Sequence, residues 1–365
     1  MVMGPQRRLA CVFEAIVLVG GQGTRLRPLT LTTPKPLLPV AGVPFLLHQF
    51  ARLRDAGVTR IVLATSYRAE LFEQAFGDGS TLGVELVFVS EDEPMGTGGA
   101  IANAATALVS APDAPVIVFN GDVVSGHDLR AQLATHEAAD ADVTLHLVQV
   151  EDARAFGCVP TDESGAVTDF LEKMPEPVTD QINAGCYIFR RSIIAEIPTG
   201  RPVSVERETF PGLLVRGARV QSYLETAYWL DLGTPAAYVK GSRDLVTGGI
   251  ASSALPGPVG PALVLTGAVV DPQAVVEGGS VVGARAVVEA AHVIGSVLFD
   301  DVVVGSGAVI EDSLIGARAQ IGSGVHLLRA VVGDDVVIGE GSHFIDARIW
   351  NDADSPGAPL RVSND

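Results

Sequence analysis

The residues best suited to chemistry lie in a glycine-rich loop near the start of the chain, Gly20–Pro28 (GGQGTRLRP). Glycines let backbone amides approach a phosphate closely, and Arg25 and Arg27 supply positive charge. A dinucleotide fingerprint would need glycine where Leu26 stands, and a Walker loop would need Gly-Lys-Ser/Thr, so the loop is neither. Both of those motifs open a helix, which the prolines that follow forbid here. We therefore expect loop amides and long cationic side chains to hold the phosphates.

Lys35 is the clearest of these cations, because it stands between Pro34 and Pro36 just beyond the loop. The chain has 22 arginines but only three lysines, of which the others are Lys173 and Lys240. A lysine retained in such a chain indicates a need for a compact ammonium rather than a planar guanidinium. For Lys240, on a predicted surface helix, chance is the better explanation.

Two aspartates are candidate ligands for a divalent cation. Asp122 follows the predicted strand Pro115–Phe119 in an Asn-Gly-Asp sequence, and ligands of open α/β sheets bind beyond the carboxyl ends of strands. A single carboxylate there suits Mg²⁺, although Asn-Gly-Asp is also a common turn. Asp231 stands among apolar residues, where an unpaired charge is costly. The alternative is that Asp231 caps a helix that begins near Pro235.

The elements that must position these residues alternate between strands and helices. The predicted strands are Phe13–Val19, Arg60–Thr65, Val84–Val89, Pro115–Phe119, Asp142–Val150, Ala184–Phe189 and Arg219–Leu224, and the predicted helices are Pro44–Asp55, Ala69–Phe76 and Thr97–Val109. Such alternation predicts an open, mostly parallel α/β sheet. The later strands have fewer helices between them, so we expect the sheet to be mixed.

The last third of the chain has a different pattern. Gly249–Leu263 is rich in Gly, Pro and Ser and is predicted to be a linker. From Val264 aliphatic residues recur every six positions, and from Val304 onward glycine usually follows them. A period of six is the hexapeptide signature of a β-helix, in which neighbouring turns stack. The predicted boundaries are 1–248, a linker at 249–263, a β-helix at 264–345 and a tail at 346–365.

Composition excludes several classes of protein. Lys and Arg number 25 against 43 Asp and Glu, a net charge of −18 that would repel nucleic acid and anionic membranes. Hydrophobic residues make up 47%, yet no stretch approaches the ~20 consecutive apolar residues that span a bilayer. The three cysteines, Cys11, Cys158 and Cys186, show no metal-ligand spacing and indicate a reducing, cytoplasmic location without disulfides.

Taken together, the motifs resemble those of one enzyme family, the sugar-1-phosphate nucleotidylyltransferases. The motifs that carry this resemblance, in order, are Gly20–Lys35, Asn120–Asp122, Phe170–Lys173 (FLEK), Asn183–Gly185 (NAG) and Trp229–Pro235 (WLDLGTP). Three further segments are more similar to the mannose-1-phosphate guanylyltransferase branch: Glu93–Ala100 (EPMGTGGA), Phe156–Val159 (FGCV) and Ser204–Pro211 (SVERETFP). The resemblance implies a Rossmann-like mixed-sheet nucleotidyltransferase domain followed by a left-handed β-helix of hexapeptide repeats.

The resemblance also implies a role for each motif residue. Arg25, Lys35 and Lys173 would be catalytic, with Lys173 on the sugar phosphate. Asp122 and Asp231 would hold Mg²⁺. The nucleotide-binding residues would be Gly20, Gly21, Gly23, Thr24, Gly96, Thr97, Gly98 and Asn120, with Gly96–Gly99 as a loop that reads the base. The sugar-binding residues would be Gly157, Glu172 and Asn183.

The implied reaction is that of GTP with mannose 1-phosphate, giving GDP-mannose and pyrophosphate. One alternative keeps the fold but uses glucose 1-phosphate with dTTP or UTP. Another is a non-catalytic regulatory subunit, which we would expect to have lost the charged residues named above. A third is acyl transfer by the β-helix through His292, His326 or His343, although about 80 residues of repeat is short for it. We expect a homo-oligomer, because the ends of a β-helix need covering.

Overall fold

A computed structural model of the chain describes residues 13–66, 68–351 and 360–363. Cys11 and much of the predicted tail lie outside these residues. The chain divides into two compact units. Of the described residues, the first unit contains those up to Gly20, those between Arg52 and Gly121, and His127–Ala227, and the second contains Gly21–Ala51, Asp122–Gly126 and those from Tyr228 onward.

Strands and helices alternate through residue 248. In order they are β1 (Glu14–Leu18), β2 (Pro39–Val40), β3 (Val43–Pro44), α1 (Phe45–Ala56), β4 (Arg60–Thr65), α2 (Ala69–Phe76), β5 (Glu85–Ser90), α3 (Gly96–Ala104), β6 (Pro115–Asn120), β7 (Val123–Ser125), α4 (Leu129–Ala138), β8 (Val143–Gln149), β9 (Gly157–Cys158), β10 (Leu171–Glu172), β11 (Gln181–Arg190), α5 (Arg191–Ile194), α6 (Phe210–Val215), β12 (Val220–Leu224), β13 (Trp229–Asp231) and α7 (Pro235–Thr247). Each strand and helix predicted from hydrophobic periodicity is present, with ends that shift by a few residues.

The first unit is built on a mixed sheet. Its strands follow the order β10-β9-β11-β6-β1-β4-β5, and β8 and β12 extend it beyond β11. β1 lies between β4 and β6 and is parallel to both, whereas β11 runs antiparallel to β6. After Glu14, β1 continues with four consecutive apolar residues, as expected of a strand whose two faces are both covered. The chain moves from β1 to β4 on one side and returns to β6 on the other, so the carboxyl end of β1 is a switch point of the kind where α/β proteins bind ligands.

The second unit contains the β-helix. Its strands are β14 (Ala262–Val264), β15 (Val269–Val270), β16 (Val275–Glu277), β17 (Ser280–Val282), β18 (Val287–Val288), β19 (His292–Ile294), β20 (Val297–Leu298), β21 (Val303–Val304), β22 (Val309–Glu311), β23 (Leu314–Ile315), β24 (Gln320–Ile321), β25 (His326–Leu328), β26 (Val331–Val332), β27 (Val337–Ile338), β28 (His343–Ile345), β29 (Arg348–Trp350) and β30 (Arg361–Ser363). Every third strand joins the same parallel sheet, and the three sheets surround a core of aliphatic residues.

These features confirm the predicted fold class, a mixed α/β sheet followed by a β-helix. The domain boundaries at 248, 264 and 345 stay predictions, because the two compact units divide the chain differently. β-structure continues past residue 345, with β29 ending at Trp350 and β30 pairing antiparallel to it. The described residues include no helix that is both long and apolar enough to cross a membrane.

One row of residues on the β-helix is buried outside the helix core. Val281, Val297, Leu314 and Val331 stand in register on neighbouring strands. They pack into a second apolar core with residues of the Gly21–Ala51 segment and of α7, namely Leu26, Leu29, Leu38, Val40, Tyr238 and Val239. Within this unit, therefore, the residues that follow the glycine-rich loop and the β-helix share a core.

We expect Leu314→Ala to destabilise the protein. Leu314 is fully buried in this second core, and truncation of a buried leucine costs about 2–5 kcal/mol in free energy of unfolding. Val337→Ala is the matched control, because Val337 lies on the same β-helix but is 55% exposed. Its substitution should cost under about 0.5 kcal/mol. Urea unfolding followed by circular dichroism measures both, and equal losses would contradict the assignment of Leu314 to a core.

Candidate active site

The glycine-rich loop and the residues that follow it form short turns rather than an α-helix, as the prolines in this part of the chain predict. 3-10 turns occupy Thr24–Leu26, Leu29–Leu31 and Lys35–Leu37. Gly23 has a φ of +60°, and its carbonyl accepts hydrogen bonds from the Leu26 amide and the Thr30 hydroxyl, both at 2.9 Å. A Cβ at Gly23 would lie 2.9 Å from the Cβ of Lys35. Glycine is therefore required here both by conformation and by the close approach of the lysine.

Lys35 stands against two carboxylates within the second unit. Its ammonium is 3.0 Å from Oδ2 of Asp122 and 4.0 Å from Oδ1 of Asp231, and only 9% of its side chain is exposed. The two aspartates meet because β7 and β13 pair antiparallel and the Leu232 amide donates to the Asp122 carbonyl at 3.0 Å. The fold thus brings together charged residues that are far apart in the sequence.

Asp231 is the more unusual of the two acids. Burial and the neighbouring Asp122 raise the pKa of Asp231, and Lys35 and Arg25 oppose that shift. Its Oδ1 is buried and has no hydrogen-bond partner among the described residues, although 31% of the side chain is exposed. The alternative role of helix cap is wrong, because Thr234 caps α7 through a hydrogen bond from the Ala237 amide. A buried carboxylate oxygen without a partner, beside a second carboxylate, fits a divalent cation.

Arg25 joins this group through a glycine that the sequence reasoning did not single out. A Cβ on Gly233 would lie 2.8 Å from Cζ of Arg25 and 2.9 Å from Oδ1 of Asp231. The guanidinium therefore lies against the backbone of Gly233, next to Asp231. Arg25, Lys35, Asp122 and Asp231 form what we call the charged cluster. In the sequence, the feature that could have indicated this contact is the glycine of the WLDLGTP motif, Gly233.

Two predicted nucleotide-binding residues lie at the carboxyl ends of neighbouring strands in the first unit. Gly20 follows β1, and Asn120 is the last residue of β6 and pairs with Leu18 of β1. The Ser66 hydroxyl donates to the Gly20 carbonyl at 2.9 Å. A Cβ on Gly185 would lie 2.8 Å from Nδ2 of Asn120, so Gly185 makes room for that side chain. Both residues therefore lie at the switch point of the sheet.

The family resemblance implies that Gly96–Gly99 is a loop, whereas periodicity predicts a helix from Thr97. The segment is the first turn of helix α3. The Gly98 amide donates to the Val203 carbonyl at 2.8 Å, and the Thr97 hydroxyl accepts from the Val205 amide at 2.9 Å. A Cβ on Gly98 would lie 2.8 Å from Cγ1 of Val203. The prediction of a loop is wrong because these glycines let a helix pack against the Val203–Val205 segment. Their contact with a base stays a prediction.

The predicted sugar-site residues lie together in the first unit. Glu172 of β10 pairs with Gly157 of β9, where a Cβ would lie 2.8 Å from Oε2 of Glu172. Lys173 has a φ of +53°, its side chain is 59% exposed, and its ammonium lies 3.4 Å from Oε1 of Glu172. A left-handed backbone at a lysine is strained, and such strain concentrates at functional sites. Nδ2 of Asn183, on β11, donates to the Tyr187 hydroxyl at 2.8 Å.

Glu206 belongs to the same group, although the sequence reasoning did not assign it. Its Oε1 accepts a hydrogen bond from Nδ2 of Asn183 at 3.1 Å. Burial and the nearby Glu172 raise the pKa of Glu206, whereas the Asn183 hydrogen bond opposes the shift. The residue lies in a π-helix, Val205–Thr209, an element often found at functional sites. The sequence feature that could have pointed to Glu206 is the SVERETFP segment. That segment contains two glutamates, and nothing in the sequence distinguishes Glu206 from the other one.

The histidines show no ligand spacing in sequence, but the fold gathers His127, His146 and Glu225 closely enough for a metal. The Arg52 guanidinium donates to Nδ1 of His127 at 3.0 Å, and Nε2 of that ring donates to Oε1 of Gln132 at 2.9 Å. A neutral imidazole has one lone pair, which Arg52 occupies here. Burial lowers the pKa of His146 to about 3, so it stays neutral. We interpret this group as a packed polar core beside a cation.

Comparisons with known proteins agree with this fold and these residues. The nucleotidyl transferase family matches residues 14–248, and the GMPPB C-terminal domain matches residues 258–351. A solved structure of HddC from Yersinia pseudotuberculosis has a TM-score of 0.56 and 31% identity, covering 64% of this chain and 99% of its own. A second HddC structure, complexed with GMP-PN, has a TM-score of 0.55 and 30% identity.

The chain therefore belongs to the nucleotidyl transferase family. It is 51% identical to the mannose-1-phosphate guanylyltransferase of Mycobacterium tuberculosis over 296 residues, which is 80% of this chain and 82% of that protein. It is 41% identical over 229 residues to a mannose-1-phosphate guanylyltransferase catalytic subunit beta from Drosophila pseudoobscura, covering 62% and 61% of the two chains. The resemblance inferred from the motifs is confirmed at the level of the family.

Proposed function

We propose that this chain transfers the guanylyl group of GTP to mannose 1-phosphate, giving GDP-mannose and pyrophosphate. The observation that carries the proposal is the charged cluster, a lysine and an arginine beside two carboxylates, which suits a polyphosphate and a divalent cation. The mycobacterial and Drosophila relatives are mannose-1-phosphate guanylyltransferases, which supports mannose 1-phosphate as the sugar phosphate, and the GMP-PN complex of HddC supports a guanine nucleotide.

The reaction needs charge neutralisation more than proton transfer. An oxygen of mannose 1-phosphate attacks the α-phosphorus of GTP, and the bond from that phosphorus to the bridging oxygen breaks to release pyrophosphate. The sugar phosphate is already anionic near neutral pH, so no general base is required. Lys35 and Arg25 would cancel negative charge at the α-phosphate and on the departing pyrophosphate, which stabilises the transition state.

Mg²⁺ belongs to the proposal, with Asp122 and Asp231 as its protein ligands. The chemistry of the donors fits, because Mg²⁺ prefers one or two carboxylates together with phosphate oxygens. The partnerless Oδ1 of Asp231 is the structural support. When bound, the ion would supply positive charge to phosphate oxygens. The two aspartates would orient it, and Lys35 would limit their mutual repulsion.

Further residues are proposed to bind the two substrates. Glu172 and Asn183 would accept hydrogen bonds from sugar hydroxyls through their side-chain oxygens, and Lys173 would bind the sugar phosphate. Gly157 would leave room for the sugar. Nucleotide contacts are proposed for Gly20, Gly21, Gly23, Thr24, Gly96, Thr97, Gly98 and Asn120.

A pyrophosphate-release assay tests the function. Purified protein is incubated with Mg²⁺, each of the four nucleoside triphosphates and dTTP, and either mannose or glucose 1-phosphate. We expect the highest kcat/KM for GTP with mannose 1-phosphate. A preference for dTTP or UTP with glucose 1-phosphate would contradict the substrate choice. No turnover with any pair would favour a regulatory subunit.

A homo-oligomer and a cytoplasmic location complete the proposal. The ends of a β-helix stack need covering, which supports self-association. The sparse cysteines support a reducing compartment. Light scattering at micromolar concentration tests the first point, and a strict monomer would contradict it.

A further inference from the structure

One row of the β-helix ends in a residue of a different type. Along the sheet that shares a core with Leu26 and Leu29, the register runs Val281, Val297, Leu314, Val331 and then Arg348. The first four side chains are buried and apolar. Arg348 occupies the same position on the next coil, so a charged residue continues an apolar row at the point where the row meets the glycine-rich loop.

Arg348 contacts the backbone of that loop directly. Its Nη1 donates to the Arg25 carbonyl at 2.8 Å and also to the Arg27 carbonyl. The Arg25 carbonyl lies in the middle of the 3-10 turn Thr24–Leu26, and the Arg27 carbonyl belongs to the residue that follows the turn. A guanidinium donates to neutral carbonyls more strongly than an amide does, so it can fix the backbone of this turn.

Two neighbouring contacts reach the following part of the loop. The Thr32 hydroxyl donates to Oδ2 of Asp334 at 2.9 Å. Gly333 lies against the ring of Pro28, where a Cβ would be 3.3 Å from Cγ. The coil that contains β26 and the strand β29 therefore contact the segment from Arg25 to Thr32 at three successive points: the Arg25 and Arg27 carbonyls, the Pro28 ring and the Thr32 hydroxyl.

We propose that Arg348 is a positioning residue for nucleotidyl transfer: from the last parallel strand of the β-helix, it holds the backbone that carries Arg25. Arg25 must place its guanidinium against Gly233 and beside Asp231, and its own carbonyl is one of the two that Arg348 binds. The β-helix would then orient the phosphate-binding loop as well as forming a folded domain. The inference rests on the proposed function only in assigning Arg25 to phosphate.

The test compares Arg348→Met with Arg318→Met. Methionine keeps an apolar stem but donates no hydrogen bond. Arg318 is a matched control because it lies on the same β-helix and pairs with Asp335 at 2.6 Å, not with the loop. Amide hydrogen exchange of the ligand-free protein, kcat and KM for GTP with Mg²⁺, and the melting temperature are measured for both variants and the wild type.

We expect Arg348→Met to speed exchange in residues 24–31 and to lower kcat/KM for GTP by about 10-fold, with KM for mannose 1-phosphate unchanged. Arg348→Lys should recover part of the loss, since an ammonium can still donate to a carbonyl. Arg318→Met should leave exchange in the loop and kcat/KM within about twofold of the wild type. Faster exchange across the whole β-helix in Arg348→Met would indicate a folding defect and contradict the positioning role.

Exchange and kinetics of Arg348→Met that match those of Arg318→Met would overturn the proposal. The hydrogen-exchange result is independent of turnover. If the wild-type protein released no pyrophosphate from any substrate pair, the proposed function would fail, while exchange in residues 24–31 would still decide whether Arg348 fixes the loop.

Discussion

Lys35→Ala is expected to lower kcat for GTP and mannose 1-phosphate by about 100- to 1,000-fold, the usual cost of removing one preorganised charge-stabilising group. The ammonium of Lys35 is almost fully buried and lies 3.0 Å from Asp122. Its removal takes away the positive charge proposed to face the triphosphate. It also leaves Arg25 as the one cation of the charged cluster to balance Asp122 and Asp231.

That second consequence has a readout besides turnover. Two carboxylates without a compensating lysine attract a divalent cation more strongly, so ligand-free Lys35→Ala should bind Mn²⁺ more tightly than the wild type in a titration. Lys35→Arg should not restore kcat fully, because the Lys35 side chain is buried and its compact ammonium lies 3.0 Å from Asp122, where a larger planar guanidinium fits less well.

Lys240→Ala is the matched control for Lys35→Ala. Lys240 lies on α7 and pairs with Asp244 one turn away, and its side chain is 59% exposed. The substitution should leave kcat, KM and Mn²⁺ affinity unchanged. Full turnover by Lys35→Ala, with wild-type Mn²⁺ binding, would show that the charged cluster is not part of the catalytic machinery.

Much of this cluster could be predicted from residue type and position. Glycines and arginines after an apolar strand indicate a phosphate-binding loop, and the prolines that follow exclude a helix. A lysine in a lysine-poor chain indicates a position that requires a compact ammonium. Asp122 could be placed because strand ends in an α/β sheet meet at one edge. These arguments depend on local sequence and on strand order, which hydrophobic periodicity predicts well.

Contacts between distant segments could not be predicted in the same way. From the sequence, Asp231 could be a metal ligand or a helix cap. The pairing of β7 with β13 places it beside Asp122, and the cap of α7 is Thr234. Gly98 was interpreted as a loop residue that reads a base, because nothing nearby in sequence shows that Val203 packs against it.

Glu206 illustrates the same limit for charge. A glutamate in a polar segment is usually solvated, and its local sequence predicts nothing else. Only the packing of the π-helix beside Asn183 and Glu172 buries the carboxylate and raises its pKa. Burial is a property of the tertiary fold, so residues whose chemistry depends on it escape a motif-based assignment.

Lys173→Ala tests the other proposed catalytic lysine. Its ammonium is well exposed beside Glu172, and the positive φ at Lys173 holds the side chain at a strained turn. An exposed, flexible ammonium suits a phosphate that moves during the reaction better than a planar fork does. Loss of one charge-assisted contact costs about 1.5–3 kcal/mol, so kcat/KM for mannose 1-phosphate should fall roughly 10- to 150-fold.

The expected pattern separates Lys173 from Lys35. In Lys173→Ala the apparent affinity for mannose 1-phosphate and kcat should both fall, whereas GTP binding measured calorimetrically without the sugar phosphate should stay near the wild-type value. Lys173→Arg should recover part of the loss, and Lys240→Ala again provides the unchanged control. If Lys173→Ala weakened GTP binding as strongly as Lys35→Ala does, Lys173 would be a nucleotide ligand, and the sugar phosphate would need a different cation.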